Sequence, residues 1–110
     1  MIVIFQSQAA GDVIMFGDVA YRLMDIMGKE PAAKGIVTVE QLPETIARLR
    51  AAIAGDKESR AGLTEDSLPQ TEETPDGGKR AYVSLTQRAV PLIELLEWSL
   101  KKQVPVVWGV

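Results

Sequence analysis

The chain has 110 residues, 46% of them hydrophobic and 25% charged, with a net charge of −3 at pH 7. That size and balance suit a single domain able to bury its own core. It contains neither cysteine nor histidine, which excludes disulfides, thiolate nucleophiles, iron–sulfur and zinc–thiolate sites, imidazole bases and a Ser-His-Asp triad.

In chain order, the β-branched and aromatic run Met1-Ile2-Val3-Ile4-Phe5-Gln6 predicts a short strand, apolar on both faces and therefore buried. Ser7 to Asp12 reads as a turn leading into a helix. Val13, Phe16, Ala20, Leu23 and Met27 recur at spacings of three and four, predicting a first helix that Gly28 stops. Lys29 to Gly35 is a loop around Pro31, and Ile36-Val37 a brief strand.

Thr38-Val39-Glu40-Gln41 matches a capping box. The apolar positions Val39, Leu42, Ile46, Leu49 and Ile53 follow it, with Pro43 in the first turn and Gly55 as the expected end. Residues 56 to 79 hold prolines, glycines and acids but few apolar side chains, so they predict one long polar, mobile loop. Arg80 to Val83 reads as a short strand, and Ser84-Leu85-Thr86-Gln87 as a second capping box. The third helix carries a stripe through Leu85, Ala89, Leu92 and Leu96, with Pro91 expected to kink or divide it. Val104 to Trp108 reads as a last strand, where Pro105 suggests a sheet edge or a strand start.

The two terminal strands are expected to meet in one sheet of two or three strands under three helices, an α+β arrangement. The net charge is uneven: between Asp56 and Asp76 seven acids stand against two bases, leaving the remainder at +2. Such a body is a poor nucleic-acid binder. No apolar run reaches the ~20 residues of a membrane span. No positive charge precedes the apolar start, so the expected compartment is the cytoplasm.

The stretch IVIFQSQAAGDVIMFGDVAYRLMDIMGKEPAAKGIVTVEQLPETIARLRAAI, with the later YVSLTQRAVPLIELL, resembles a family of small bacterial proteins catalogued only as a domain of unknown function. The resemblance covers most of the chain outside the acidic insert. It implies a bacterial, cytoplasmic origin and brings no activity, ligand or catalytic residue.

No cluster of side chains marks a catalytic, cofactor or metal site. Any metal would need oxygen ligands such as magnesium, calcium or manganese accept. Glu94 and Glu97, three apart on a helix, are a carboxylate pair that reads as a solvated edge. Asp18, Arg22 and Asp25 read as a local ion-pair set. Gly11-Asp12 and Gly17-Asp18 lack the Lys-Ser or Lys-Thr of a phosphate loop. Gly77-Gly78-Lys79-Arg80 could hold an anion, against the plainer reading of a turn with solvated bases. Ile14, Met15, Met24 and Ile26 make the first helix apolar on more than one side, which hints at a second buried surface. Met15, Met24 and Trp108 are the candidate interface residues, whereas Trp98 reads as core.

Three functions compete. An interaction or structural module, self-associating or binding another protein, is favoured. A small-molecule binder with an apolar pocket opened at Pro91 is the alternative. An enzyme would have to run on carboxylates, lysine, arginine, Tyr82, Ser84 or Thr86, which do not form a recognisable set.

Overall fold

A computed structural model describes residues 1–60, 71–74, 77–81 and 83–109. The elements run β1 (Ile2–Ser7), β2 (Ala10–Phe16), α1 (Gly17–Ile26), β3 (Gly35–Val37), a 3₁₀ turn (Val39–Gln41), α2 (Leu42–Arg60), β4 (Thr71–Glu73), β5 (Lys79–Ala81), α3 (Leu85–Lys102) and β6 (Val106–Trp108). The main sheet is antiparallel with strand order β2-β1-β6-β3. It has four strands rather than two or three, and both terminal strands lie at its centre. The class is α+β, with three helices on one face of the sheet. A separate ribbon pairs β4 with β5.

The largest departure from the sequence pattern lies at residues 10–16. Instead of opening a helix they form β2, paired with β1 so that Ile2 faces Phe16, Val3 faces Met15 and Ile4 faces Ile14. Every residue from Val13 to Phe16 is apolar, so the alternation that marks a strand is invisible, and an accidental helical spacing takes its place. The helix starts only at Gly17, whose N–H donates to the carbonyl of Met1 at 2.9 Å. Its end is as expected: Gly28 takes φ +81°, and the N–H of Lys29 donates back to the Met24 carbonyl.

Both capping boxes form. The N–H of Thr38 donates to Gln41 Oε1 at 3.2 Å. At α3 the N–H of Gln87 donates to Ser84 Oγ and the N–H of Ser84 to Gln87 Oε1, each at 3.2 Å. Gly55 does not stop α2, which runs on to Arg60; a glycine inside a helix costs only ~1 kcal/mol. Nor does Pro91 divide α3, one helix from Leu85 to Lys102. Gln87, whose carbonyl loses its donor to the proline, is exposed, so water can replace the missing N–H.

The segment expected to be one polar loop from 56 to 79 contains the end of α2, β4 and the start of β5. Two stretches of it, 61–70 with Glu65 and Asp66 and 75–76 with Asp76, lie outside the described residues, as does Tyr82.

The core fills the space between the inner sheet face and the helices. Val3, Phe5, Met15, Val37, Val106 and Trp108 come from the sheet. Leu23 and Met24 from α1, Leu42 and Leu49 from α2, and Leu92 and Leu96 from α3 meet them. Trp108 is central: it packs on Phe5 with ring centroids 5.4 Å apart, and its indole N–H donates to the Ala32 carbonyl at 3.1 Å. Gly35 is required beside it, because a Cβ there would lie 2.1 Å from the indole. Ser99 is fully buried on α3, its Oγ 2.7 Å from both the Leu95 carbonyl and Ser7 Oγ. That contact ties the helix to the end of β1.

Candidate functional site

Side chains alternate along each strand, so burying Val3, Phe5, Met15, Val37, Val106 and Trp108 sends their neighbours to the opposite face. Among the described residues no helix covers that outer face. Ile2, Ile4, Ile14, Phe16 and Ile36 stand on it with 61%, 39%, 63%, 48% and 44% of their surfaces exposed. The half-buried Val107 continues the patch on β6. Register makes it contiguous: Ile2 pairs with Phe16, Ile4 with Ile14, Gln6 with Val107, and Val107 with Ile36. Most proteins expose isolated apolar side chains; here a connected row of them crosses four strands.

The face is not flat. β6 pairs with β1 only at Phe5 and Gln6, so among the described residues no strand pairs with the first half of β1 on that side. A hollow of about 170 Å³ opens there, lined by Ile2, Ile4, Gln6, Ala33 and Gly109 among others. Gly109 floors it at φ +73°, where a Cβ would meet the Ala33 carbonyl oxygen at 2.0 Å. Asp12 and Lys34, both exposed, bracket the face. Alternation places Asp12 with Ile14 and Phe16 on β2, and the Lys34 side chain lies against the outer side of Gly109.

Met15, Met24 and Trp108, the residues singled out for an interface, face inward at 9%, 0% and 1% exposure. The excess of apolar residues at 13–27 is real, but its free part is Ile14 and Phe16 on a strand. Trp108 is also on no edge, since β6 lies between β1 and β3; Pro105 marks the strand's start. The other tryptophan is reversed as well: Trp98 is 48% exposed, with Lys101 Nζ 5.1 Å from its ring centroid.

The glycine pair at 77–78 belongs to the β4–β5 turn. The Gly77 N–H donates to the Thr74 carbonyl, and Gly77 adopts φ +86°. Lys79 is exposed, but Arg80 is not a solvated base. Its guanidinium donates to both Asp18 oxygens, at 2.7 and 3.2 Å, and stacks 4.6 Å from the Phe16 ring centroid. An anion would have to compete with that bidentate carboxylate. Arg80 holds the Asp18 carboxyl below its ordinary pKa, first by hydrogen bonding and then by its charge, against an opposing push from partial burial. Asp18 therefore pairs across to the ribbon rather than with Arg22, and the expected Asp18–Arg22–Asp25 set does not form.

Glu97 pairs with Arg50 of α2 at 2.6 Å, leaving Glu94 and Glu97 as separate exposed carboxylates. Ser84 is consumed by its cap. A second concavity, an apolar groove of about 370 Å³, runs between β2 and the start of α3; Met15, Val83, Gln87 and Pro91 line it, together with Ile14 and Phe16 of the outer face. Among the described residues no group of three or more acidic side chains converges as a metal site. No helix among them is long and apolar enough to cross a membrane.

These features define an α+β protein whose sheet is covered on one face and open, apolar and contoured on the other. The chain belongs to the family described as a domain of unknown function, DUF1840, which matches residues 1–108. No curated protein and no solved structure matches it.

Proposed function

We propose that this protein is an interaction module that docks a protein partner on the outer face of its sheet. One observation carries the proposal: Ile2, Ile4, Ile14, Phe16 and Ile36 form a connected apolar surface that, apart from the Arg80 guanidinium against the Phe16 ring, no described residue covers. Leaving such side chains about half in water forgoes roughly 1 kcal/mol each relative to full burial. Asp12 and Lys34 bring charge to opposite sheet edges, and the Arg80–Asp18 pair, self-neutralised, borders the patch at Phe16. The matching partner surface is therefore apolar at its centre and polar at its rim.

The test is a photo-crosslinking residue in place of Ile14, compared with the same residue in place of Ala51, which is exposed on α2. A discrete protein adduct should form at 14 and not at 51, and Ile4→Glu should abolish it. Equal or absent crosslinking at the two positions would sink the proposal.

A second reading, an apolar small molecule, is favoured by the groove between β2 and α3. Ile2, Ile14 and Phe16 border that groove as well, so the two readings are separated at a residue outside it: Gln87→Trp should remove a groove ligand from native mass spectra, whereas Ile36→Glu should weaken protein adducts at 14 and leave a groove ligand in place.

A further inference from the structure

The reading of the outer face as a docking surface can be taken one step further: we infer that its partner is a second copy of this chain, related by a two-fold axis lying close to the strand direction in the plane of the interface. This rests on the docking reading above. It draws on three features of the face that one rotation satisfies together.

The first is relief. The face divides into a raised half, where Ile2, Ile4, Ile14 and Phe16 stand on β1 and β2, and a lower half, where β6 gives way at Gly109 to the hollow of about 170 Å³. An axis close to the strand direction lays β1 and β2 of one copy over β6 and β3 of the other. The aliphatic ridge of each copy then meets the hollow of its partner, twice by symmetry. A two-fold contact requires such self-complementarity, because every surface meets its own image.

The second is charge. Asp12 stands on β2, at one edge of the sheet, and Lys34 immediately before β3, at the other. Both are exposed, and neither has an ion-pair partner among the described residues. By register Asp12 lies level with Gln6, and Lys34 about two residues away along the strands, level with Ile4. The separation is thus mostly across the sheet. The rotation that exchanges the two halves carries Lys34 of each copy toward Asp12 of the other, giving two rim pairs of opposite sign. Asp12 and Lys34 balance at the contact itself, so the repulsion between two chains of net charge −3 acts from outside the face and is screened by salt.

The third is geometry and size. Tilting the axis slightly from the strands, as those two positions require, crosses the sheets at tens of degrees, as aligned sheets pack. Two strands of about 20 Å and two of about 10 Å at ~4.8 Å spacing give a small contact, roughly 600–800 Å² in total, the size of a weak, transient association. The dimer is accordingly weak, with Kd in the micromolar range.

Sedimentation velocity over a wide concentration series tests this directly on the whole chain. The wild type should pass reversibly from 12.0 kDa to twice that mass. Asp12→Lys and Lys34→Asp alone should each raise Kd about tenfold, since each converts two attractive rim pairs into repulsive ones. Asp12→Lys combined with Lys34→Asp should return Kd to near its wild-type value. Thermal unfolding of each variant confirms that the fold is retained. A wild type that stays monomeric at high micromolar concentration overturns the inference. So does a dimer indifferent to the single changes, or one the double change fails to restore. If the purified chain is monomeric while the Ile14 crosslinker still captures a different protein sensitive to Ile4→Glu, the docking reading survives and the second-copy inference alone fails.

Discussion

The two faces of one sheet are built from nearly the same amino acids and meet opposite fates. Valine, phenylalanine, methionine and tryptophan on the inner face are sealed by three helices, whereas isoleucine and phenylalanine on the outer face stay in water. Composition does not separate them; cover does. Apolar character in a strand therefore says that a face is to be buried, without saying whether the chain itself supplies the cover.

The contrast predicts unequal costs for equivalent truncations. Trp108→Ala should be the most damaging, lowering stability by ~3–5 kcal/mol, because it removes the Phe5 stacking, the Ala32 hydrogen bond and the largest side chain of the core. Urea unfolding gives the number, and a loss under ~1 kcal/mol would mean the inner face is less well packed than described. Ser99→Ala, at the inner junction of α3 and β1, should cost ~0.5–1.5 kcal/mol by the same assay.

Asp18→Asn should cost at most ~1 kcal/mol, as Asp18 is partly solvated. Its pKa is depressed in the folded state, so its contribution is present above the ordinary carboxylate value and is lost as pH falls through the lower folded value. The gap in thermal midpoint between Asp18→Asn and wild type should thus close on going from about pH 7 to pH 3. A gap that persists at acid pH would assign the effect to something other than the Arg80 pair. Smallest of all should be Ile14→Thr on the outer face, within ~0.5 kcal/mol for the folded monomer, with its effect appearing instead as lost self-association in sedimentation.

Much of the fold is legible in the sequence where a local rule has one outcome. Thr38–Gln41 and Ser84–Gln87 announce two helix starts because hydroxyl and amide sit three apart. Gly28 announces a stop, and the apolar ends announce strands. The β2 strand is not legible because both its faces are apolar, and the helical period of Val13, Phe16 and Ala20 offers a false alternative. The β4–β5 ribbon is hidden by its polarity: Thr71 to Glu73 and Lys79 to Ala81 pair through backbone groups that composition does not register.

The candidate site is half legible. An excess of apolar side chains near residue 14 is visible in the sequence, but assigning it to a helix selects Met15, which β2 turns inward, and Met24, which α1 buries against the core. Trp98 and Trp108 trade places because one tryptophan on a helix and one on a short strand carry no mark of which face each will take. Asp18 finding Arg80 instead of Arg22 is a tertiary event that no local spacing encodes.

The placing of β6 has a consequence in time as well as in space. The strand formed last along the chain is inserted between the first strand and the third, so Phe5 meets Trp108 only across nearly the whole described sequence. Such distant pairing is slow, since the entropy of closing the chain is spent before any contact repays it. Until residue 108 has been synthesised, the β1–β2 hairpin exists with both faces apolar and neither one sheltered. The newborn chain thus passes through an interval of greatest vulnerability to aggregation, which ends for the inner face on docking of β6 and outlasts folding for the outer one.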